Sequence, residues 1–181
     1  MKMQKHLGLL LLLISSSNGA MATVLPDACG SNSQKFSVTI QKNEHSPQNP
    51  ASGQAQLVLA ENVESDYRCF ASGCGVTVRV GIDGSWVGAD KGNSWFVVNL
   101  LPGEHHLCVN WQSRLAFRER QVDVAKLDAH AGQRYYFEVA VIMKVRDNGH
   151  QIDRVRLRPL DLDHAQYLLK ISGRSKSTPN R

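Results

Sequence analysis

The chain has no C-x-x-C pair, no G-x-S-x-G elbow and no H-E-x-x-H motif. Thiol redox chemistry, a zinc cluster, an esterase-type nucleophile and a zinc protease therefore all lack their sequence signatures. Nowhere do basic residues run interleaved with aromatics, as a groove for single-stranded nucleic acid requires, so nucleic acid is not an expected partner. No apolar run reaches the roughly 18 residues of a membrane-crossing helix, which leaves no transmembrane segment. There is no internal repeat. With only 6 Pro and 14 Gly in 181 residues, collagen-like and low-complexity architectures are excluded as well.

What is present begins with a targeting pattern. Lys2 and Lys5 precede the apolar run Leu7 to Ile14, followed by Ser15 to Asn18 and Ala20-Met21-Ala22. This is the pattern of a secretory signal peptide over residues 1–22, cut after Ala22. The mature chain then has about 159 residues, one domain's worth. Without Lys2 and Lys5 it carries 19 basic against 16 acidic side chains, so the formal +5 falls to +3. Export to the periplasm or beyond the cell also changes the meaning of the four cysteines, which in an oxidising compartment are expected as disulfides. Pro26-Asp27-Ala28 before Cys29 is a poor lipobox, and a lipid anchor is not expected there.

Residues 23–52 read as an extended lead-in, with Phe36, Val38 and Ile40 alternating in a first strand and a proline-bearing loop from Asn43 to Gly53. Residues 53–172 read as the main domain. Ala55, Leu57 and Leu59 alternate, as do Val76, Val78, Val80 and Ile82. Asp83-Gly84 makes a tight hairpin turn, Lys91-Gly92-Asn93 a second, and Pro102-Gly103 a third. Ser94 to Leu100 is apolar on both faces, which predicts a strand covered on both sides. Leu107, Val109 and Trp111 share a face opposite His106, Cys108 and Asn110. Val122 and Val124 mark another strand, with Leu127 out of phase. Gln133 to Lys144 pairs with Ile152 to Leu160 through a turn at Asp147-Asn148-Gly149. Only Leu162, Ala165, Leu168 and Leu169 carry helical spacing, with Asp161 or Asp163 as cap and Gly173 as stop. Residues 173–181 read as a disordered basic tail. The fold class expected is all-β: an antiparallel β-sandwich of about eight to nine strands with one short C-terminal helix.

Val78 to Gly88, with its Asp83-Gly84 turn, and then Leu101-Pro102-Gly103-Glu104-His105 resemble the hairpin of PEGA-like modules. Together with Ala131 to Phe137 and Leu160 to Leu169, they make the chain similar to the DUF2846 family of exported bacterial proteins over roughly residues 55–171. That resemblance implies a small envelope β-sandwich with no known activity, and it transfers no catalytic or ligand residue.

Four cysteines admit three pairings. The short spacing of Cys69 and Cys74 favours a bridge between them, leaving Cys29 with Cys108 to tie the lead-in to a core strand. His105 and His106 point to opposite strand faces and cannot readily chelate one ion, and no metal or other cofactor is expected. Among the aromatics, Trp86, Trp95, Trp111, Tyr135 and Tyr136 could form a platform for sugars or peptides. Trp111 is in phase with the core, whereas Trp86 follows a tight turn and is the candidate for ligand contact. Arg154, Arg156 and Arg158 alternate along one strand face, either paired with carboxylates such as Glu138 or forming a strip for anionic polysaccharide. The sequence thus points to a non-catalytic exported module that binds a protein or an envelope polymer. The alternative class is an envelope hydrolase with an irregular site.

Overall fold

The computed structural model describes residues 25–31, 33–65, 76–112, 121–145 and 151–180. It is mostly β, with two sheets and one short helix. The segments expected as a signal peptide (residues 1–22), a Cys69 to Cys74 bridge and an Asp147-Asn148-Gly149 turn lie outside the described residues.

The first sheet holds six strands: β1 (Phe36–Gln41), β2 (Ala55–Ser65), β5 (Ser94–Leu100), β8 (Arg134–Val145), β9 (Gln151–Pro159) and β10 (Gly173–Pro179). Their order is β1-β10-β5-β2-β8-β9. The second sheet holds β3 (Thr77–Ile82), β4 (Ser85–Lys91), β6 (Gly103–Trp111) and β7 (Val122–Ala129), in the order β4-β3-β6-β7 and antiparallel throughout. The helix α1 (Leu162–Ile171) follows β9.

One apolar cluster draws on both sheets: Leu57 and Leu59 of β2, Phe96 of β5, Val139 and Val141 of β8 and Val155 of β9 meet Val78 and Val80 of β3 and Leu107 and Val109 of β6. The period-two pattern produces this cluster, because alternate side chains of each strand face the same way. Asp83 (φ 50°) and Gly84 (φ 80°) make the turn between β3 and β4 with the positive φ angles that the sequence calls for. Gly92 and Asn93, both at φ 44°, send the chain from β4 in one sheet to β5 in the other. On the outer face of the six-stranded sheet, Trp95 of β5 and Val58 and Ala60 of β2 pack against Leu168 and Leu169 of α1, so β5 is covered on both sides as predicted.

Three expectations are corrected. Among the described residues the sheets contain ten strands, not eight or nine, and the larger sheet is mixed: β2 runs parallel to β8 over Gln56↔Arg134 to Ser65↔Met143, and β10 runs parallel to β5. Alternation marks which face a residue takes but not which way a neighbouring strand runs. The tail expected to be disordered over residues 173–181 is instead a strand over Gly173–Pro179, β10, which pairs antiparallel with all six residues of β1. Its polar sequence is compatible with a strand near a sheet margin, where backbone pairing rather than apolar burial holds it. In β7 the inward phase is Ala125, Leu127 and Ala129, whereas Val124 is exposed.

Asp161 caps α1, accepting a hydrogen bond from the His164 N–H (2.8 Å). The helix ends at Ser172, whose hydroxyl donates to the Leu168 carbonyl (2.6 Å). Gly173 serves the close passage of β1, since a Cβ there would lie 2.8 Å from the Gln41 carbonyl oxygen.

Candidate functional site

The outer face of the four-stranded sheet is closed by the lead-in. Cys29 and Cys108 form a disulfide, as expected, with Cα atoms 5.2 Å apart and both cysteines buried. Trp86 lies under this strap. Its indole N–H donates to the Ser31 carbonyl, and the Arg79 guanidinium sits 4.3 Å from its ring centroid. Arg79 is itself buried, bonded to the Gln34 carbonyl (2.7 Å) and to the Asn110 side chain, and burial lowers it to about 10. Gly30 and Gly81 allow the fit, because a Cβ on either would press on the Trp86 ring. Trp86 is thus engaged by packing on one ring face and at its polar edge, and it is not an open platform.

Two of the three arginines of the β9 row are engaged with acids. Arg158 pairs with Glu138 (3.1 Å), as the sequence anticipated, and with Glu64 (3.1 Å). Arg156 reaches Asp123 of β7 (3.9 Å), whose carboxylate also accepts the Leu157 N–H (2.9 Å). Arg154 is partly buried on the same strand face. Asp123 therefore ties the margin of one sheet to the margin of the other.

Beyond that tie the two margins part, and a cleft of about 440 Å³ opens between Leu127 of β7, Arg134, Tyr135, Tyr136 and Phe137 of β8, and Pro159, Leu160 and Leu162. Tyr135 and Tyr136 are the part of the sequence-predicted aromatic platform that lines it. Tyr135 is anchored by its hydroxyl, which accepts the His130 N–H (3.0 Å). Arg134 is held to the Gln56 side chain (2.7 Å) and the Gln48 carbonyl (2.6 Å). Leu162 is 54% exposed at the first turn of α1.

The backbone of β8 matters here. Gln56 donates its N–H to the Gln133 carbonyl (2.9 Å), so odd-numbered residues of β8 serve β2 and even-numbered ones serve β9. On that second side β9 ends at Pro159, opposite Phe137, followed only by the Leu160 N–H to the Tyr136 carbonyl (2.8 Å). The N–H and C=O of Arg134 consequently face the side where β9 has stopped, beside the apolar lining of the cleft.

A second polar constellation lies at the other end of the core. Glu61 and Asp90 are both buried between the sheets. Asp90 Oδ1 accepts from the Lys91 N–H (2.9 Å), the Ser175 hydroxyl (2.6 Å) and the Ser94 hydroxyl, and Glu61 Oε1 accepts from the Gly92 N–H (2.8 Å). Glu61 Oε2 and Asp90 Oδ2 have no hydrogen-bond partner. Burial and then the Asp90 charge raise Glu61 well above the ordinary carboxylate range, and burial raises Asp90 to about 6 against its hydrogen bonds. The sequence carried one signal for this pair: Glu61 stands in the inward phase of Leu57, Leu59 and Val63. Asp90 carried none, and Arg134 and Leu162 were not singled out as cleft residues.

His105 and His106 face different partners: His105 Nδ1 lies 2.7 Å from Asp83 and its Nε2 2.8 Å from the Leu101 carbonyl, while His106 Nε2 lies 3.3 Å from Glu104. Among the described residues, no cluster of three or more His, Cys, Asp or Glu could hold a metal ion, and no helix is long and apolar enough to cross a membrane. A scan against protein-family models found no match, and neither did searches of curated proteins and of solved structures.

Proposed function

We propose that the protein is an exported, non-catalytic β-sandwich module that binds an extended segment of an envelope protein in the cleft between Leu127 and Leu162. The carrying observation is the pairing of that cleft with an unfinished sheet margin. The Arg134 backbone is left beside Tyr135, Tyr136 and Leu162, so an incoming strand finds hydrogen-bonding groups and apolar side-chain pockets together. Export rests on residues 1–22 and accords with the Cys29 to Cys108 disulfide. The DUF2846 resemblance, carried by Val78 to Gly88 and Leu101 to His105, points to the same kind of envelope module. Burial of Glu61 and Asp90 keeps the most perturbed carboxylates away from any substrate, which supports the non-catalytic reading over a hydrolase.

Panning a random-peptide display library on the oxidised mature protein tests this. Enriched peptides should bind at least about tenfold more weakly to L162D, an exposed position whose substitution leaves the fold intact. Equal binding to L162D, or retention of anionic polysaccharide with no enriched peptide, would refute a peptide cleft.

A further inference from the structure

β10 is held to the body of its sheet by little backbone pairing. Its ladder with β5 covers only Gly173↔Ser94 and Arg174↔Trp95, whereas its ladder with the outermost strand β1 covers six positions. The β1 and β10 pair is thus an appended margin, and its attachment to the core runs through side chains. Ser175 of β10 reaches Asp90 of β4 in one sheet and Ser94 of β5 in the other (both 2.6 Å), making it the point where three strands of two sheets meet. Nearby, Gly88 of β4 leaves space that Phe96 and the Ser177 hydroxyl fill.

Among the described residues, no cation forms an ion pair with the acids at this junction. Beside Glu61 and Asp90 on the inner strand faces are their register partners, Val139 of β8 for Glu61 and Val78 of β3 for Asp90, together with the hydroxyls of Ser94 and Ser175. The charged groups adjacent in sequence belong to the opposite strand faces: Lys91 follows Asp90, and Arg174, beside Ser175, pairs with Glu44 (2.9 Å). Glu64 pairs with Arg158 on the outer face of the larger sheet. Two ionised carboxylates in such a setting repel one another without solvent to screen them, so ionisation of both disfavours the closed junction.

We propose that Glu61 and Asp90 form a proton-operated lock that holds the β1 and β10 margin on the core and releases it when the pair loses its proton. Opening the margin takes Ser175 away from Asp90 and gives that carboxylate water, which returns Asp90 toward ordinary acidity and weakens the repulsion that raises Glu61. The closed form, with its raised affinity for protons, is therefore favoured fully below about pH 4 and loses that advantage as pH rises. Asp90's share is lost by about pH 6, and Glu61's share is lost as pH climbs to its own higher value. Release of β1 with β10 would also open the clamp of the Gln112 side chain on the Phe36 backbone (2.7 and 2.9 Å).

Hydrogen exchange on the disulfide-intact chain, corrected for intrinsic rates, reads the lock directly. Between pH 5 and pH 8 the protection of β1 and β10 amides should fall at least about tenfold, while Val139 and Val141 of β8 change less. In E61Q the fall should shrink, and in the E61Q/D90N double variant it should vanish. Unchanged protection of β1 and β10 in the wild-type chain overturns the proposal, as does an equal fall throughout the core or a fall in E61Q as large as in the wild type. If neither variant folds, the wild-type series decides alone.

Discussion

Single residues carry most of the fastening. The Cys29 to Cys108 bond closes a separation of 79 residues, and restricting so long a loop in the unfolded chain is worth about 4 kcal/mol. C29S should lower the unfolding free energy from denaturant titration by that order, and reduction of the wild type should lower it at least as much; an unfolding free energy unchanged by both would show that the strap is held by Trp86 and Arg79 alone. A second residue-scale outcome concerns His105. Both of its ring nitrogens lie against acceptors, so both contacts are hydrogen bonds only when the ring is doubly protonated. Burial works to lower its pKa, but the Leu101 carbonyl and the Asp83 carboxylate outweigh burial and raise it. In Asp83 burial works upward, and the His106 N–H and the His105 ring outweigh it and lower the pKa. The stabilisation from His105 is present in full below its unfolded value of about 6.5 and is lost as pH rises through the raised folded value. An NMR titration should place His105 above the ordinary imidazole value, and D83N should bring it down; a His105 that titrates at the ordinary value in the wild type, or one unmoved by D83N, would contradict the geometry.

At the scale of elements, the strands were legible wherever alternation met turn chemistry. Val78, Val80 and Ile82 with Asp83-Gly84 specified a hairpin, and the structure builds it. Two kinds of element were not legible. The parallel pairing of β2 with β8 escapes because the whole second sheet intervenes in the chain, and a period of two is blind to strand direction. β10 escapes because Arg174, Ser175, Lys176, Ser177 and Thr178 have no apolar phase at all; the strand exists through β1 and through Ser175. The site was legible in part. The Cys29 to Cys108 pairing, the Arg158 to Glu138 pair and the tyrosines of the cleft could be singled out from residue types. The strap over Trp86 depends on a tertiary covering that no local pattern records. Because β10 completes the core junction, deleting residues 173–181 should lower stability by about 2 kcal/mol or more, exposing Asp90 and Ser94. Thermal melting checks this, and a truncated chain with the full-length midpoint would restore the picture of a loose tail.

Across the whole molecule, the two sheets are joined unevenly. The disulfide strap covers the outer face of one, α1 covers part of the outer face of the other, and Asp123 ties their margins at one point. Where that tie ends, Pro159 stops β9 and the cleft begins, with Leu162 at its rim. The molecule thus has one margin held by side chains around a buried acid pair and another left unfinished beside an apolar cleft, the second being where we propose that a partner binds. A photo-crosslinking amino acid placed at position 162, with a control at exposed Ile40 on β1, tests that assignment most directly in intact cells. The account predicts covalent adducts with protein from position 162, competed away by a cleft-binding peptide, and none from position 40. No adduct at 162, or equal adducts from both positions, would contradict it.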